Sequence, residues 1–87
     1  MKLYELLDGV EVLGGYPLNP EISSVTDDSR KVRNSSVFVC VKGKKKDGHD
    51  YARKALERGA AVVICDHNIG IRNCIVVENT REAYALM

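Results

Sequence analysis

Val37-Phe38-Val39-Cys40-Val41 is an unbroken run of five apolar residues. β-Branched and aromatic side chains suit a pleated strand, and a run without polar alternation fits a strand covered on both faces, as in a parallel sheet. The sequence that follows supports this. Gly43 to His49 is polar and reads as a loop, and Asp50 to Arg58 places Tyr51, Ala52, Ala55 and Leu56 on one side of a helix that Gly59 can end. Ala60 to Cys65 and Cys74 to Val77 are two further apolar strands, separated by a polar stretch, 66–73, that contains Gly70. Strand, helix, strand with a buried first strand implies a parallel crossover. The predicted fold class is therefore α/β, a small mainly parallel or mixed sheet with flanking helices.

Working outward from this unit, Lys2 to Leu7 puts Leu3, Leu6 and Leu7 at helical spacing, with Asp8-Gly9 as a stop. Residues 13–20 hold two glycines and both prolines and read as a turn-rich connection. Glu21 to Thr26 reads as an extended segment that runs into the charged Asp27-Asp28-Ser29-Arg30. Thr80 is placed as the cap of a last helix, which reaches Met87 without a stop signal, so the chain is expected to continue.

The 87 residues are enough for one small domain with a thin core. Thirteen basic against twelve acidic residues leave a net charge of +1, which excludes a global field for nucleic acid or an anionic membrane and makes any anion site local. The longest apolar stretch, Ala60 to Cys65, is far below the roughly 20 residues that span a bilayer. Glu5 and Asp8 interrupt any signal-peptide core, so the expected location is the cytoplasm. Cys40, Cys65 and Cys74 lie in apolar runs without metal-type spacing and are read as buried free thiols.

Three places can carry chemistry. Gly43-Lys44-Lys45-Lys46-Asp47-Gly48-His49-Asp50 sits between a strand and a helix with P-loop glycine spacing. The Lys-Ser/Thr pair needed after the second glycine is replaced by His49-Asp50, so ATP is not expected here. Such a loop can still aim backbone N–H groups at an anion, with three lysines beside it; the alternative is a solvated charged loop. In Asp27-Asp28-Ser29-Arg30 the adjacent carboxylates point to opposite faces and do not form an acid–base dyad. That stretch is either a surface turn, with Asp28 or Ser29 bonding local backbone and Arg30 pairing a carboxylate, or a ligand contact. His49 and His67 lack partners at ligand spacing and are read as non-catalytic, and no catalytic residue or metal site is assigned.

Three strings in order, Asp28-Ser29-Arg30-Lys31-Val32, Val37-Phe38-Val39-Cys40-Val41-Lys42-Gly43, and Asp47-Gly48-His49-Asp50-Tyr51 continuing through Ala55 to Gly59-Ala60, resemble the amino-terminal domain of the Mur ligases of peptidoglycan synthesis. The match covers roughly residues 22 to 78, and Met1-Lys2-Leu3 with Glu5-Leu6-Leu7 is similar to the usual opening. The resemblance is nearest to the branch that adds the third stem-peptide residue, diaminopimelate or lysine, to UDP-MurNAc-L-Ala-D-Glu; the D-alanyl-D-alanine-adding branch comes next. A free-standing anion-binding or interaction module is the reading outside the family.

The resemblance implies that residues 1–87 form a UDP-recognising first domain, with the central and carboxy-terminal domains of the same chain supplying the ATP and Mg²⁺ sites and the amino-acid contacts. The full enzyme makes an acyl phosphate from its substrate carboxylate and ATP, and an amine then displaces phosphate. The residues implied in UDP binding are Ser29, Asp27 through its backbone, and Lys44, Lys45 and Lys46. The implied partners are UDP-MurNAc-dipeptide and the other two domains, with neither nucleic acid nor membrane. Two departures stand out: Asn34-Ser35-Ser36 replaces the Pro-Gly usual before the Phe-containing strand and still suits a turn, and Lys44-Lys45-Lys46 makes the following loop more basic than is usual in the family.

Overall fold

Alternate residues of the apolar strands point to opposite faces, so each strand contributes to two cores. Val37, Val39, Val62, Ile64, Ile75 and Val77 pack on one face with Leu3, Leu7, Ile22 and Ala83. Phe38, Cys40, Val63 and Cys65 pack on the other with Ala52, Ala55 and Ala60. These contacts are seen in a computed structural model that describes residues 1–16 and 18–87; Pro17, which falls in the turn-rich reading of 13–20, lies outside the described residues.

The elements are α1 (Leu3–Leu6), β1 (Val12–Gly14), β2 (Val25–Thr26), β3 (Val37–Val39), α2 (Ala52–Glu57), β4 (Val62–Cys65), β5 (Cys74–Val77) and α3 (Thr80–Leu86), with 3₁₀ turns at Ser29–Lys31 and Gly48–Tyr51. The sheet order is β1-β5-β4-β3-β2. β2 through β5 run parallel to their neighbours, whereas β1 is antiparallel to β5, so the sheet is mixed and the α/β expectation holds.

Four local expectations need correction. Residues 12–14 form an edge strand where a turn was expected from 13 onward, because pairing Val12 with Val77 and Gly14 with Val76 supplies hydrogen bonds that the glycine-rich sequence alone does not advertise. The extended segment 21–26 is a paired strand only over Val25–Thr26. Asn79, not Thr80, caps α3: its side chain accepts from the Glu82 N–H at 3.0 Å, while Thr80 is buried as the first helical residue. Cys65 and Cys74 form a disulfide, with Cα atoms 6.7 Å apart, leaving Cys40 as the free thiol. They lie nine positions apart in sequence, and only the alignment of β4 beside β5 brings them within bridging range.

The turn before β3 keeps a Pro-Gly shape without those residues. Ser35 has φ 65°, and the Ser36 N–H donates to the Arg33 carbonyl at 3.2 Å. A positive φ at the third residue of a four-residue turn is the type II arrangement, which favours glycine there and proline before it. Ser35 stays because its N–H donates to the Gly59 carbonyl and its own carbonyl accepts from Ser23 N–H, at 2.8 and 2.9 Å. A left-handed conformation costs a non-glycine residue about 1–2 kcal/mol, partly offset by the greater entropy loss of glycine on folding. Ser35→Gly is therefore expected to stabilise the chain by about 0.5–1 kcal/mol, read as a rise of a few degrees in Tm. An unchanged or lowered Tm would show that Ser35 carries no such strain.

Candidate functional site

Parallel strands direct the chain outward at their carboxyl ends, where ligands of open α/β sheets bind. Here the segments after β2 and β3 and one face of α2 enclose a cavity of about 520 Å³, lined by Asp27, Asp28, Ser29, Arg30, Phe38, Val41, Gly43, Lys46, Gly48, Tyr51, Lys54 and Arg58. That volume falls in the range of small-molecule sites, roughly 300–1,000 Å³. Four cations face two carboxylates, which makes it a basic pocket on a nearly neutral protein.

The first wall is the turn after β2. The Thr26 hydroxyl accepts from the Asp28 N–H at 3.0 Å, and the Asp28 carboxylate accepts from the Arg30 N–H at 2.9 Å, so the chain is held in a 3₁₀ turn that begins at Ser29. Arg30 returns to Asp28 in a two-pronged ion pair, Nε to Oδ1 at 3.1 Å and Nη2 to Oδ2 at 3.0 Å. These side-chain hydrogen bonds first, and the Arg30 N–H second, push the Asp28 carboxyl down to about 2. The surface-turn geometry anticipated from the sequence is thus present, and the same turn lines the cavity. Asp27 and Ser29 both face into it.

The second wall is the loop after β3. Gly43 N–H donates to the Lys46 carbonyl at 2.7 Å and Gly48 N–H to the Val41 carbonyl at 2.9 Å, closing the loop on itself. Asp47 then caps the following turn: its carboxylate accepts from His49 N–H at 3.0 Å, and its carbonyl accepts from Asp50 N–H at 3.0 Å. The donors of Gly43, Gly48, His49 and Asp50 are used within the chain, which leaves the N–H groups of Lys44 to Asp47 as the donors the loop can offer an anion. Gly48 serves packing instead. A Cβ on it would lie 2.7 Å from the Val41 nitrogen and 3.0 Å from the Cys40 Cα, so only glycine allows the loop this close to β3. Of the three lysines only Lys46 lines the cavity; Lys44 and Lys45 are exposed outside it.

The third wall, α2, escaped sequence reasoning. Lys54 and Arg58, one helical turn apart, both face the cavity, and Arg58 Nη1 donates to the Ser29 carbonyl at 2.7 Å, tying the helix to the first wall. The sequence carried a signal, a basic pair at i and i+4 opposite the apolar Ala52 and Ala55, but such a pair equally describes a solvated face. Arg30 and Arg58 are committed to these bonds. Among the described residues, Arg30 is the lining cation with an ion pair, Arg58 bonds a backbone carbonyl, and the side chains of Lys46 and Lys54 make neither kind of contact.

His49 also departs from expectation. Its side chain is 5% exposed, and it meets Asp47, Asp66 and His67, partners that the linear sequence did not place at ligand spacing.

A family model described as Mur ligase family, catalytic domain, matches residues 21–86. The UDP-N-acetylmuramoyl-L-alanyl-D-glutamate–2,6-diaminopimelate ligase of Bacillus licheniformis is 39% identical over 100% of this chain and 18% of its own length. The enzyme of the same name from Bacillus cereus is 40% identical, with the same 100% and 18% coverage. Among solved structures, MurF from Acinetobacter baumannii superposes with a TM-score of 0.77 at 26% identity, over 92% of this chain and 18% of that one. MurF from Thermotoga maritima in complex with ADP superposes with a TM-score of 0.63 at 35% identity, over 68% and 14%. The chain thus spans about a fifth of the length of these relatives. A match along the whole of this chain to diaminopimelate ligases, a family model over residues 21–86 and a shared sheet architecture together establish that this chain belongs to the Mur ligase family.

Proposed function

We propose that this chain is the UDP-recognising first domain of a ligase that adds diaminopimelate to UDP-MurNAc-L-Ala-D-Glu. The observation that carries the reading is the basic cavity at the carboxyl ends of β2 and β3, in a chain matched along its whole length by diaminopimelate ligases. Ser29 and the backbone of Asp27 hold the nucleotide at one wall, and Lys46, with Lys54, faces the diphosphate. Lys44 and Lys45 add to the positive field from outside the cavity. The other two domains of the polypeptide supply the remaining contacts, and the enzyme works in the cytoplasm.

The D-alanyl-D-alanine-adding reaction is the second reading, favoured by the shared fold with MurF at a TM-score of 0.77. The first is preferred because identity is 39% along the whole chain for a diaminopimelate ligase and 26% for that MurF.

ATP and Mg²⁺, which the family reaction uses, do not fit the glycine loop here. His49-Asp50 stands where a P-loop carries Lys-Ser/Thr, and the loop's N–H donors at Gly43 and Gly48 are spent on Lys46 and Val41 carbonyls. ATP activation belongs to the central domain, and no chemical step is assigned to these residues.

Calorimetric titration of the 87-residue chain tests the reading. Affinity should fall from UDP to UMP to uridine, the gap between UDP and uridine should shrink as salt rises, and ATP should bind more weakly than UDP. Ser29→Ala should weaken UDP binding by about 0.5–1.5 kcal/mol, the worth of one neutral hydrogen bond, while the chain stays folded. Equal affinity for uridine and UDP, or an unaffected folded Ser29→Ala variant, would reject the assignment of the diphosphate or of Ser29 respectively.

A further inference from the structure

At the carboxyl end of β4, next to the strands that frame the nucleotide cavity, His49, Asp66 and His67 place one potential ligand atom each within 4.8 Å of one another. The anchor is His49. Asp47 Oδ1 lies 2.6 Å from its Nδ1, and a carboxylate can only accept, so the imidazole proton resides on Nδ1. Nε2 is left with a lone pair, and accordingly it accepts from the Asp66 N–H at 3.2 Å. A histidine whose one nitrogen donates to a carboxylate while the other is held as a lone pair is the arrangement that orients a metal-ligating imidazole.

Asp66 Oδ1 also lies 3.2 Å from Nε2, so the Asp66 backbone and carboxylate both approach that nitrogen. His67 completes the set: its Nδ1 is 2.5 Å from that same oxygen, and its ring centroid is 4.5 Å from that of His49. Two imidazoles and a carboxylate thus bring their ligand atoms within 4.8 Å of one another, with one Asp66 oxygen close to both rings.

We propose that His49, Asp66 and His67 bind a divalent transition-metal ion of the zinc type, with Asp47 orienting His49. Tetrahedral zinc with bonds of about 2.0–2.2 Å sets its ligand atoms about 3.3 Å apart, close to the 3.2 Å between His49 Nε2 and Asp66 Oδ1. The pair at 2.5 Å must open by less than one ångström, and its side chains, 39% and 58% exposed, are free to do so. The fourth position is left to water. Two imidazoles with one carboxylate suit zinc, cobalt, nickel or copper, whereas Mg²⁺ and Ca²⁺ prefer all-oxygen shells. The near-buried imidazole is already oriented by Asp47, an ion would replace the Asp66 N–H as the partner of its Nε2 lone pair, and entry is open on the side of Asp66 and His67. A bound ion would clamp the loop after β3, which carries His49, to the connection after β4, which carries Asp66 and His67. Cys40 stays out of the donor set: burial, then the charges of Asp47 and Asp66, push its thiol up to about 12.

The test is titration of the 87-residue chain with Zn²⁺ alone, followed by calorimetry and thermal melting without reductant so that the Cys65–Cys74 bridge is kept. Co²⁺ serves as the spectroscopic probe. The expected result is one saturable zinc per chain with micromolar affinity, a raised Tm, no comparable response to Mg²⁺, and a Co²⁺ spectrum of low coordination number. His67→Ala and Asp66→Asn, which alter exposed side chains and leave the fold intact, should each weaken zinc by at least tenfold. His49→Gln should abolish binding, with the circular dichroism spectrum checking that the chain is folded. Absence of saturable zinc binding to the wild-type chain, or unchanged affinity in both folded His67→Ala and Asp66→Asn, overturns the site. So does binding that is lost when Cys65 and Cys74 are both replaced by Ser. UDP titration of the same variants separates this site from the nucleotide reading, since none of the three ligands lines the cavity.

Discussion

Phe38→Ala is expected to lower the stability of the chain by about 3–5 kcal/mol, the largest effect of any single side-chain truncation considered. Phe38 is 1% exposed and sits in the core on the α2 face, where its neighbours are Ala52, Ala55, Ala60, Cys40, Val63 and Cys65. These buried members are too small to fill the space an aromatic ring leaves, and the larger Tyr51, Leu56, Ile69 and Ile71 are only partly buried against them. The cavity would persist, and its cost would add to the lost transfer energy. A domain of this size has only a thin margin, since whole-protein stabilities run about 5–15 kcal/mol and small domains fall at the low end. Thermal melting followed by circular dichroism should therefore show the variant largely unfolded, or with Tm lowered by more than about 10 °C. Phe38→Leu, which retains more of the volume, should lose less. Phe38 also lines the cavity, so loss of UDP binding in Phe38→Ala reports a lost contact only if the variant is shown to be folded. A folded Phe38→Ala chain with near-parental Tm would mean that α2 can collapse onto the sheet.

The second large effect is on binding. Lys46→Gln with Lys54→Gln should weaken UDP about tenfold to thirtyfold at low salt and remove most of the salt dependence. Bonds to a charged partner are worth about 1.5–3 kcal/mol when sheltered, but both lysines are exposed, so about 1 kcal/mol each is the appropriate figure. Two such contributions, at 1.4 kcal/mol per tenfold, give the stated range. Lys44→Gln with Lys45→Gln removes the same formal charge from outside the cavity and should change affinity by less than about threefold, because screening weakens charges that do not touch the ligand. Uridine binding should be unaffected in both double variants. Equal losses in the two would show that the lysines act as a diffuse field and that the cavity geometry does not select among them.

The sequence alone determined the fold class. Continuous apolar runs at 37–41, 60–65 and 74–77, with one amphipathic helix between the first two, leave little besides a parallel-type sheet covered on both faces, since hydrophobic burial follows directly from residue type and periodicity. It also placed a turn at Asn34-Ser35-Ser36 before β3, while the left-handed Ser35 that gives this turn its shape came only with the structure. The resemblance to the Mur ligases singled out Asp27, Ser29, Lys44, Lys45 and Lys46, of which Asp27, Ser29 and Lys46 line the cavity.

Only the tertiary structure decided the rest. β1 is a strand because β5 offers it an edge, a pairing between residues more than sixty positions apart that the local sequence at 12–14 does not encode. Lys54 and Arg58 became cavity residues when α2 packed against the turn after β2, and the fold of the glycine loop put Lys46 on the cavity wall and Lys44 and Lys45 outside it. Cys65 met Cys74, and His49 met Asp66 and His67, through strand alignment. The physical reason is common to all of these. Burial is a property of one side chain and shows in local pattern, whereas hydrogen bonds, ion pairs and ligand sets depend on distances of a few ångströms between residues remote in sequence, which exist only once the sheet has fixed its register.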